Sequence, residues 1–187
     1  MDYEQTIRSF VPRTEEQAQQ QEMILWYLCR NREDVLTREN LAAHLTSSAM
    51  ILNPRRDKAL MVYHNIYQSW SWTGGHCDGD PDLIGVALRE AGEETGLFKL
   101  TLWQPQPVGL DVIPVAAHYK SGRYVCAHLH LSVAFGMIGD DRLPLRIKAD
   151  ENSDVAWVPL TELWERTEKE PGMQTVYRNI LDRMLER

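Results

Sequence analysis

The apolar residues near the start of the chain repeat at helical spacing. From Thr14 to Arg30 no Gly or Pro interrupts the sequence, and Thr14 is suited to cap the first turn. Met23, Trp26 and Tyr27 fall on one face of the helix that this segment predicts. We expect this face to pack on a core, although it would serve a contact with a second copy of the chain equally well.

Beyond this helix the apolar positions alternate or form short β-branched runs, which predict strands. We place strands at Leu45–Leu52, Ala59–His64, Val108–Val115, Tyr124–Gly136 and Val155–Val158, and helices at Pro81–Thr95, Leu160–Arg166 and Gln174–Glu186. Gly74-Gly75 is predicted to be a loop, Asp80 to cap the helix that follows, and Gly96 to end it. This order of elements predicts an α/β (α+β) sandwich with a mixed sheet between helices.

Three carboxylates are concentrated on the predicted central helix. Glu90, Glu93 and Glu94 stand at positions i, i+3 and i+4, so they point from one face within about one turn. Like charges at this spacing cost stability unless something compensates them, and Mg²⁺ or Mn²⁺ bound through oxygen is the natural compensation. A site of this kind is suited to holding a diphosphate.

The segment Gly75–Leu97 resembles the signature of the Nudix hydrolases. That signature is Gly, five residues, Glu, seven residues, then Arg-Glu-aliphatic-any-Glu-Glu-any-Gly-aliphatic. The sequence matches it at every specified position but one, since Pro81 stands where the family has its first Glu. The resemblance implies a Nudix-type α/β/α sandwich over residues 41–187, preceded by an N-terminal helical extension over residues 1–40.

The resemblance also assigns roles to residues of the motif. It implies that Glu90, Glu93 and Glu94 bind metal together with the backbone carbonyl of Gly75, and that Arg89 orients a metal-binding Glu through a salt bridge. Glu93 and Glu94 are the motif residues that we favour as general base. In some relatives an acid from a later loop takes that role, and Glu151 is the candidate here, although a solvated loop carboxylate is the simpler interpretation of this residue.

Pro81 replaces the residue that usually pairs with the motif arginine. Asp80 and Asp82 flank the gap, and either would be able to pair with Arg89. Alternatively, Asp80 only caps the helix and Arg89 finds another partner. We expect a weakened but working site, with a site lacking activity as the alternative.

Several residues outside the metal motif are candidates for substrate binding. His76 lies beside the metal loop, and Trp70 and Trp72 would be able to stack a base, although core packing is the simpler interpretation of aromatic residues. His128 and His130 alternate along one predicted strand and therefore share a face. They would reach the substrate if that face turns toward the catalytic helix, and would otherwise form a buried, hydrogen-bonded pair.

The composition indicates which kinds of partner and which compartment the protein has. Acidic residues outnumber basic ones by 27 to 20, for a net charge of −7, which argues against a surface that coats nucleic acid. Three cysteines without paired ligand spacing fit a reducing cytoplasm, and no apolar run approaches the length of a membrane span. We therefore expect a cytoplasmic protein that forms no membrane contact, and include a homodimer among the expected states.

The sequence thus predicts a Mg²⁺- or Mn²⁺-dependent hydrolase of a diphosphate bond in a nucleoside diphosphate linked to another moiety. The alternative from a different class is a Nudix-fold module that binds a nucleotide without turnover, which Pro81 favours and the intact glutamate triplet disfavours. A third activity of this fold, isopentenyl-diphosphate isomerisation, uses a cysteine at the glycine-rich turn. Cys77 falls after the glycine pair, so this activity is disfavoured.

Overall fold

A computed structural model of the protein describes residues 2–66, 68–120 and 122–186. Its helices are α1 (Tyr3–Arg8), α2 (Glu15–Arg30), α3 (Leu83–Thr95), α4 (Leu163–Arg166) and α5 (Pro171–Leu185). Its strands are β1 (Ala43–Leu52), β2 (Lys58–His64), β3 (Ser69–Ser71), β4 (Thr73–His76), β5 (Leu100–Leu102), β6 (Gly109–Val115), β7 (His118–Lys120), β8 (Arg123–Val125), β9 (His128–Gly139) and β10 (Asn152–Pro159). None of the helices in these ranges has the length and apolar character that crossing a membrane requires.

The main sheet is mixed and has β1 near its centre. β1 runs parallel to β9 from the pair Ala43–Leu129 to the pair Leu52–Ile138, and antiparallel to β4 on its other side. The strand order is β10-β2-β1-β9-β5, with β3 paired to β2 and β6 paired to β9. β7 and β8 form a separate hairpin. The mixed sheet between helices that the sequence predicts is confirmed.

The two faces of this sheet are covered by different helices. Leu45 and Ile51 of β1 share a core with Leu83 and Ala87 of α3. Met50 of β1 belongs to a second core, which it shares with Tyr177 and Ile180 of α5. Successive side chains of a strand point to opposite faces, so odd-numbered residues of β1 face α3 and even-numbered residues face α5.

The N-terminal helices are part of the α3-side core. Ile7 and Phe10 at the start of the chain, and Ile24 and Leu28 of α2, are buried together with the sheet residues of that face. The side chain of Gln20 accepts a hydrogen bond from the backbone N–H of Val112, at 2.9 Å, and so satisfies a donor on the edge strand β6. The boundary predicted at residue 40 stays a prediction.

The predicted helix over Thr14–Arg30 forms, but a different face of it is buried. Thr14 caps it by accepting from the N–H of Gln17, as its position predicts. The core positions are Ile24 and Leu28, whereas Met23 is 39% exposed and Trp26 is 51% exposed. The expectation that Met23 and Trp26 pack on the core is therefore wrong. Tyr27 is only partly buried and donates to the side chain of Asn40.

Three local predictions need correction. Gly74 and Gly75 are not in a loop but in β4, where Gly75 pairs with Ser47. The segment predicted as one strand over Tyr124–Gly136 is two strands, because the chain leaves β8 after Val125 and enters β9 at His128. The central helix begins at Leu83 and not at Pro81, since Asp82 is its cap and accepts from the N–H of Gly85.

Candidate active site

The acidic face of α3 lies against the glycine pair of β4. The backbone N–H of Gly74 donates to Oε2 of Glu94 at 3.3 Å, and Glu94 is only 4% exposed. Glu90 lies one turn earlier on the same face and approaches Gly75. Glu93 is more exposed, at the edge of this group. The structure therefore brings Glu90 and Glu94 together with the backbone that the sequence predicts as their co-ligand.

The carboxylate of Glu90 occupies the space that a side chain at position 75 would take. A Cβ atom added to Gly75 would lie 2.5 Å from the carboxyl carbon of Glu90, closer than real Cβ contacts allow. The missing side chain thus leaves a cradle in which the carboxylate of Glu90 meets the strand backbone. At the other end of the helix, Gly96 takes a φ of 75°, as its predicted capping role requires.

The carboxylates of this face disfavour one another's charge. The pKa of Glu94 is raised to about 8, chiefly by burial, with the charges of Glu90 and Glu151 adding to the effect and the N–H of Gly74 opposing it. Burial also raises the pKa of Glu90, with Glu93 and Glu151 adding to the effect. Together these carboxyl groups form a set of hard oxygen donors. Because one of them is buried among the others, the set would be stabilised by added positive charge.

Lys148 supplies part of that charge from the segment before β10. Its Nζ lies 3.0 Å from Oε2 of Glu151 and 3.4 Å from Oε2 of Glu93. Burial lowers the pKa of Lys148, but the neighbouring carboxylates, Glu151 foremost, outweigh this and raise it. The loop thus places Glu151 on the rim of the acidic group, linked to Glu93 through one ammonium.

Arg89 pairs with Asp80, the residue directly before Pro81. Nη1 of Arg89 lies 3.1 Å from Oδ2 of Asp80, and its Nε lies 4.0 Å from Oε1 of Glu90. Because Asp82 takes the helix cap, Asp80 is left to pair with the arginine, which is one of the two possibilities that the sequence leaves open. Asp80 thus offers Arg89 the carboxylate that Pro81 does not.

The residues of this face fit a hard divalent cation. Carboxylate and backbone carbonyl oxygens are the ligands that Mg²⁺ and Mn²⁺ prefer. The cradle at Gly75 and the raised pKa of Glu94 both describe a place where added positive charge would be stabilised. The residues that would hold it are Glu90, Glu93 and Glu94, with the carbonyl of Gly75.

The candidate histidines lie on the opposite face of the sheet. His130 pairs in register with His44, and His76 pairs with Thr46, so all three share the even-numbered face that α5 covers further along β1. His128, two residues before His130, is on the same face. The strand face that carries these histidines is therefore turned away from α3. The predicted role of His128 and His130 in substrate binding depends on the other orientation of this face. That role and the predicted phosphate contact of His76 beside the metal loop both stay predictions.

The two candidate tryptophans are core residues. Trp70 and Trp72 are each 8% exposed and belong to the core beneath α5. The ring of Trp72 lies 5.4 Å from that of Tyr177, and the ring of Trp70 lies 5.7 Å from that of Tyr63. We do not include either indole in the proposed substrate site.

Cys77 is unsuited to act as a nucleophile. It is buried, and burial raises the pKa of its thiol to about 12, with the neighbouring aspartates adding to the effect. A thiol in this environment does not form the reactive thiolate.

Sequence reasoning missed two residues that complete these groups. Lys148 comes from a segment 55 residues away from Glu93 in sequence, and no motif marks it. His44 is the first polar residue of β1, and only the parallel pairing with β9 brings it beside His130. His44 lies one residue before the strand predicted at Leu45–Leu52, so a search that included the residues flanking each predicted strand would have selected it.

Comparison with known proteins gives both a family and a set of similar folds. The family model of the NUDIX domain matches residues 42–180. The structure is similar to an Ap4A hydrolase of C. elegans, at 14% identity and a TM-score of 0.54 over 75% of this chain and 96% of that one. It is also similar to the NUDIX domain of Shewanella oneidensis NrtR complexed with ADP ribose, at 17% identity and a TM-score of 0.55 over 85% and 97%.

A third similar structure is a NUDIX-family hydrolase from Clostridium perfringens, at 19% identity and a TM-score of 0.51 over 75% of this chain and 97% of that one. At these identities the similarity concerns the fold. The sequence matches none of the curated proteins with which it was compared.

Proposed function

The chain belongs to the NUDIX domain family, and we propose that it hydrolyses a diphosphate bond in a nucleoside diphosphate linked to another moiety, with Mg²⁺ or Mn²⁺ as cofactor. The observation that carries this proposal is the contact between the acidic face of α3 and β4. There Glu94 is buried beside Glu90, and the carboxylate of Glu90 occupies the space that a Cβ atom at position 75 would take. Such a group is costly unless a cation is bound, and a bound cation attracts phosphate.

In this proposal some residues of the site bind the cation and others act as the general base. Glu90, Glu93, Glu94 and the Gly75 carbonyl would hold the cation, which when bound neutralises the charge that develops on the diphosphate oxygens. Glu93, Glu94 and Glu151 are the candidate bases that take a proton from the attacking water.

Two cationic side chains would support these carboxylates. Arg89, held by Asp80, would keep Glu90 oriented toward the cation. Lys148 bridges Glu93 and Glu151 and so lies where it would meet a phosphate that approaches them. Both side chains act in the proposal through charge and position, without any covalent role.

The class of substrate is proposed from the same relatives. One is an Ap4A hydrolase, and another was crystallised with ADP ribose, so both involve a nucleotide with a phosphoanhydride link. A substrate of this class offers at least two linked phosphates to the cation and carries a second moiety that other residues around the site would select. Ap4A and ADP-ribose are therefore the first compounds to test.

The test is product release from a panel of diphosphates. ADP-ribose, dinucleoside polyphosphates, nucleotide sugars and nucleoside triphosphates would be incubated with the full chain in Mg²⁺, in Mn²⁺ and in chelator. We expect metal-dependent cleavage of at least one compound. Glu93→Gln and Glu94→Gln should each reduce the rate by about 100-fold or more while the circular dichroism spectrum is unchanged. Glu165→Gln, on the exposed surface of α4, is the matched control and should keep full activity.

Full activity of both glutamine variants would contradict the proposal. So would a folded protein that cleaves no member of the panel.

A second candidate function is nucleotide binding without turnover. Pro81 in the motif favours it, as does the likeness to a NUDIX domain complexed with ADP ribose. Calorimetric binding of ADP-ribose in the presence of chelator, with no cleavage after metal is added, would support this function over hydrolysis. Binding that requires the metal and is followed by cleavage would exclude it.

We also propose that the protein is cytoplasmic and that it forms a homodimer. Cys29, Cys77 and Cys126 are all free thiols, which is usual in reducing compartments. The exposed pair Met23 and Trp26 on α2 is the surface on which a second copy would be sought, by light scattering of the purified chain.

A further inference from the structure

Four histidines from three neighbouring strands meet on the α5 side of the sheet. His44 lies on β1, His76 on β4, and His128 and His130 on β9. One ring nitrogen of each lies within 4.8 Å of a ring nitrogen of every other. We call these four residues the histidine cluster.

The ring spacing of the cluster is that of a tetrahedral metal site. A tetrahedral ion with metal–nitrogen bonds of about 2.0–2.1 Å holds imidazole centroids roughly 3.2 Å from itself and therefore about 5.2 Å from one another. In the cluster, the centroids of His44 and the three other rings are 5.0, 4.9 and 5.3 Å apart. The distances from His130 to His76 and to His128 are 4.9 and 5.1 Å. Rotation of rings that already have the right separation would bring the nitrogens to a common ion.

Hydrogen bonds orient two of the rings as they are oriented in metal sites. Nδ1 of His44 lies 3.0 Å from the carbonyl oxygen of Asn40, and Nδ1 of His128 lies 2.8 Å from that of Cys126. A carbonyl only accepts, so both Nδ1 atoms carry a proton, and each neutral ring keeps its lone pair on Nε2. A backbone carbonyl that holds the far nitrogen of the ring is the usual outer contact of a metal-binding histidine.

These lone pairs face inward with too few donors to meet them. Nε2 of His44 is buried and has no hydrogen-bond partner among the described residues, and His44 is only 5% exposed. Nε2 of His128 lies 3.2 Å from Nε2 of His130, so two nitrogens share at most one proton. A buried acceptor without a donor costs about 1–3 kcal/mol, and a cation at the centre would satisfy it.

Two rings of the cluster are also in the charge state that binds metal. Burial lowers the pKa of His130 to about 2, with His76, His44 and His128 adding to the effect, and burial lowers the pKa of His44. Both of these imidazoles are therefore neutral near pH 7, as ligands must be. Neutral imidazole suits Zn²⁺ and its neighbours in the first transition row, whereas Mg²⁺ prefers oxygen.

We propose that His44, His76, His128 and His130 bind one Zn²⁺-class transition metal ion in a tetrahedral site. This site differs from the acidic face of α3 in its ligand atoms, in its metal and in the side of the sheet on which it lies. Four protein ligands leave no open position on a tetrahedral ion, which is typical of a structural site. The ion would fasten β4 to β1 and β9 immediately after Gly75, and so hold the strand against which Glu90 packs.

The experiment measures metal binding by the full chain, prepared without a histidine tag and stripped with chelator. Zn²⁺ and Co²⁺ would be added in turn with Mg²⁺ in excess, bound metal would be counted by elemental analysis after desalting, and the Co²⁺ form would be examined by visible absorption. We expect about one Zn²⁺ per chain and the intense d–d bands of tetrahedral cobalt. Neither should be displaced by Mg²⁺.

The variants separate the histidine cluster from every other ligand. The double variant His128→Gln/His130→Gln should lose Zn²⁺ affinity by more than about 100-fold, and His128→Gln alone by more than about tenfold. The matched control is His118→Gln, because Nδ1 of His118 also contacts a carbonyl two residues earlier, at 2.9 Å, yet this residue is outside the cluster. It should bind as the unmodified chain does.

Each result has one interpretation. Should the double variant fail to fold, the single variant His128→Gln, at a partly exposed residue, decides by the same measurement. Absence of stoichiometric Zn²⁺ binding by the folded chain would overturn the proposal, as would equal affinity in the cluster variants. The Glu93→Gln/Glu94→Gln chain should still bind Zn²⁺, so loss of Zn²⁺ there alone would place the ion among the carboxylates instead. None of these measurements uses hydrolysis, so they stand or fall separately from the proposed activity.

Discussion

Two adjacent residues of β4 contribute to two unlike groups on opposite sides of one sheet. Gly75 faces α3 and the carboxylates of Glu90 and Glu94, whereas the ring of His76 faces the other way and meets three more imidazoles. The first group offers hard oxygen atoms and has too much negative charge. The second offers ring nitrogen atoms, and among the described residues Nε2 of His44 has no hydrogen-bond partner while Nε2 of His128 and Nε2 of His130 share at most one proton.

The difference between the groups lies in how each is assembled. The carboxylates come from one helical turn, so their proximity follows from spacing along the chain. The histidines come from three strands, and His44 and His130 are brought together only by the parallel pairing of β1 with β9. A motif search therefore finds the first group and misses a member of the second.

A substitution on one face of β4 tests most directly whether the two groups are independent. Gly75→Ala places a methyl group 2.5 Å from the carboxyl carbon of Glu90, so that carboxylate must move. Since displacements of about 1 Å in a catalytic group cost about 100-fold in rate, we expect hydrolysis to fall by about that factor or more. Zn²⁺ binding should change less than about threefold, because the side chain of His76 points to the opposite face.

Gly172→Ala is the matched control for this substitution, because a Cβ there meets nothing within 4 Å. It should keep both properties. Loss of hydrolysis and of Zn²⁺ binding together in Gly75→Ala would show that the two groups are not independent.

The second prediction concerns stability in the absence of metal. Glu94 has a pKa of about 8 in the fold against an ordinary value of 4.5, so the folded chain holds the extra proton between these two values. The free energy of unfolding should therefore fall as pH rises from about 4.5 to about 8, by a few kcal/mol, and level off above that range. Glu94→Gln should remove most of this dependence, as should added Mg²⁺.

Urea unfolding in chelator at a series of pH values measures this effect. Glu93→Gln is the control, since Glu93 is exposed on the same helix and its loss should leave the slope in place. A pH dependence that is equally steep in Glu94→Gln would assign the effect to another group.

The smallest predicted effect tests the substitute partner of the motif arginine. Asp80→Asn removes the charge that Arg89 contacts at 3.1 Å, in an ion pair whose members are both well exposed. Exposed pairs contribute about 0.2–1 kcal/mol, so we expect kcat/KM to fall by no more than about fivefold. Asp82→Asn is the control, because asparagine caps helices as well as aspartate does. A loss of about 100-fold or more in Asp80→Asn would give this pair a larger role than its exposure allows.

Part of the fold could be predicted from the chain because it rests on local rules. The cap at Thr14 and the left-handed ending at Gly96 both form as their residue types indicate. The rule fails where two local choices compete. Asp80 and Asp82 are both good caps, and in the structure Asp82 caps the helix while Asp80 pairs with Arg89.

Local rules do not decide which segments pair as strands or which face of a helix is buried. Gly74-Gly75 has the composition of a loop, yet pairing with β1 makes it a strand. The apolar residues of α2 allow more than one buried face. The sheet selects Ile24 and Leu28 and leaves Trp26 exposed.

By itself the sequence determined the acidic helix face, since a helix places Glu90, Glu93 and Glu94 together whatever surrounds it. It also determined the mixed α/β fold, because each run of apolar residues has its own period. Only the tertiary structure decided what meets that face, including Gly75 and Lys148. It alone assembled the histidine cluster, because strand pairing joins residues that are far apart in sequence and alternation sends His76 to the face opposite its neighbour.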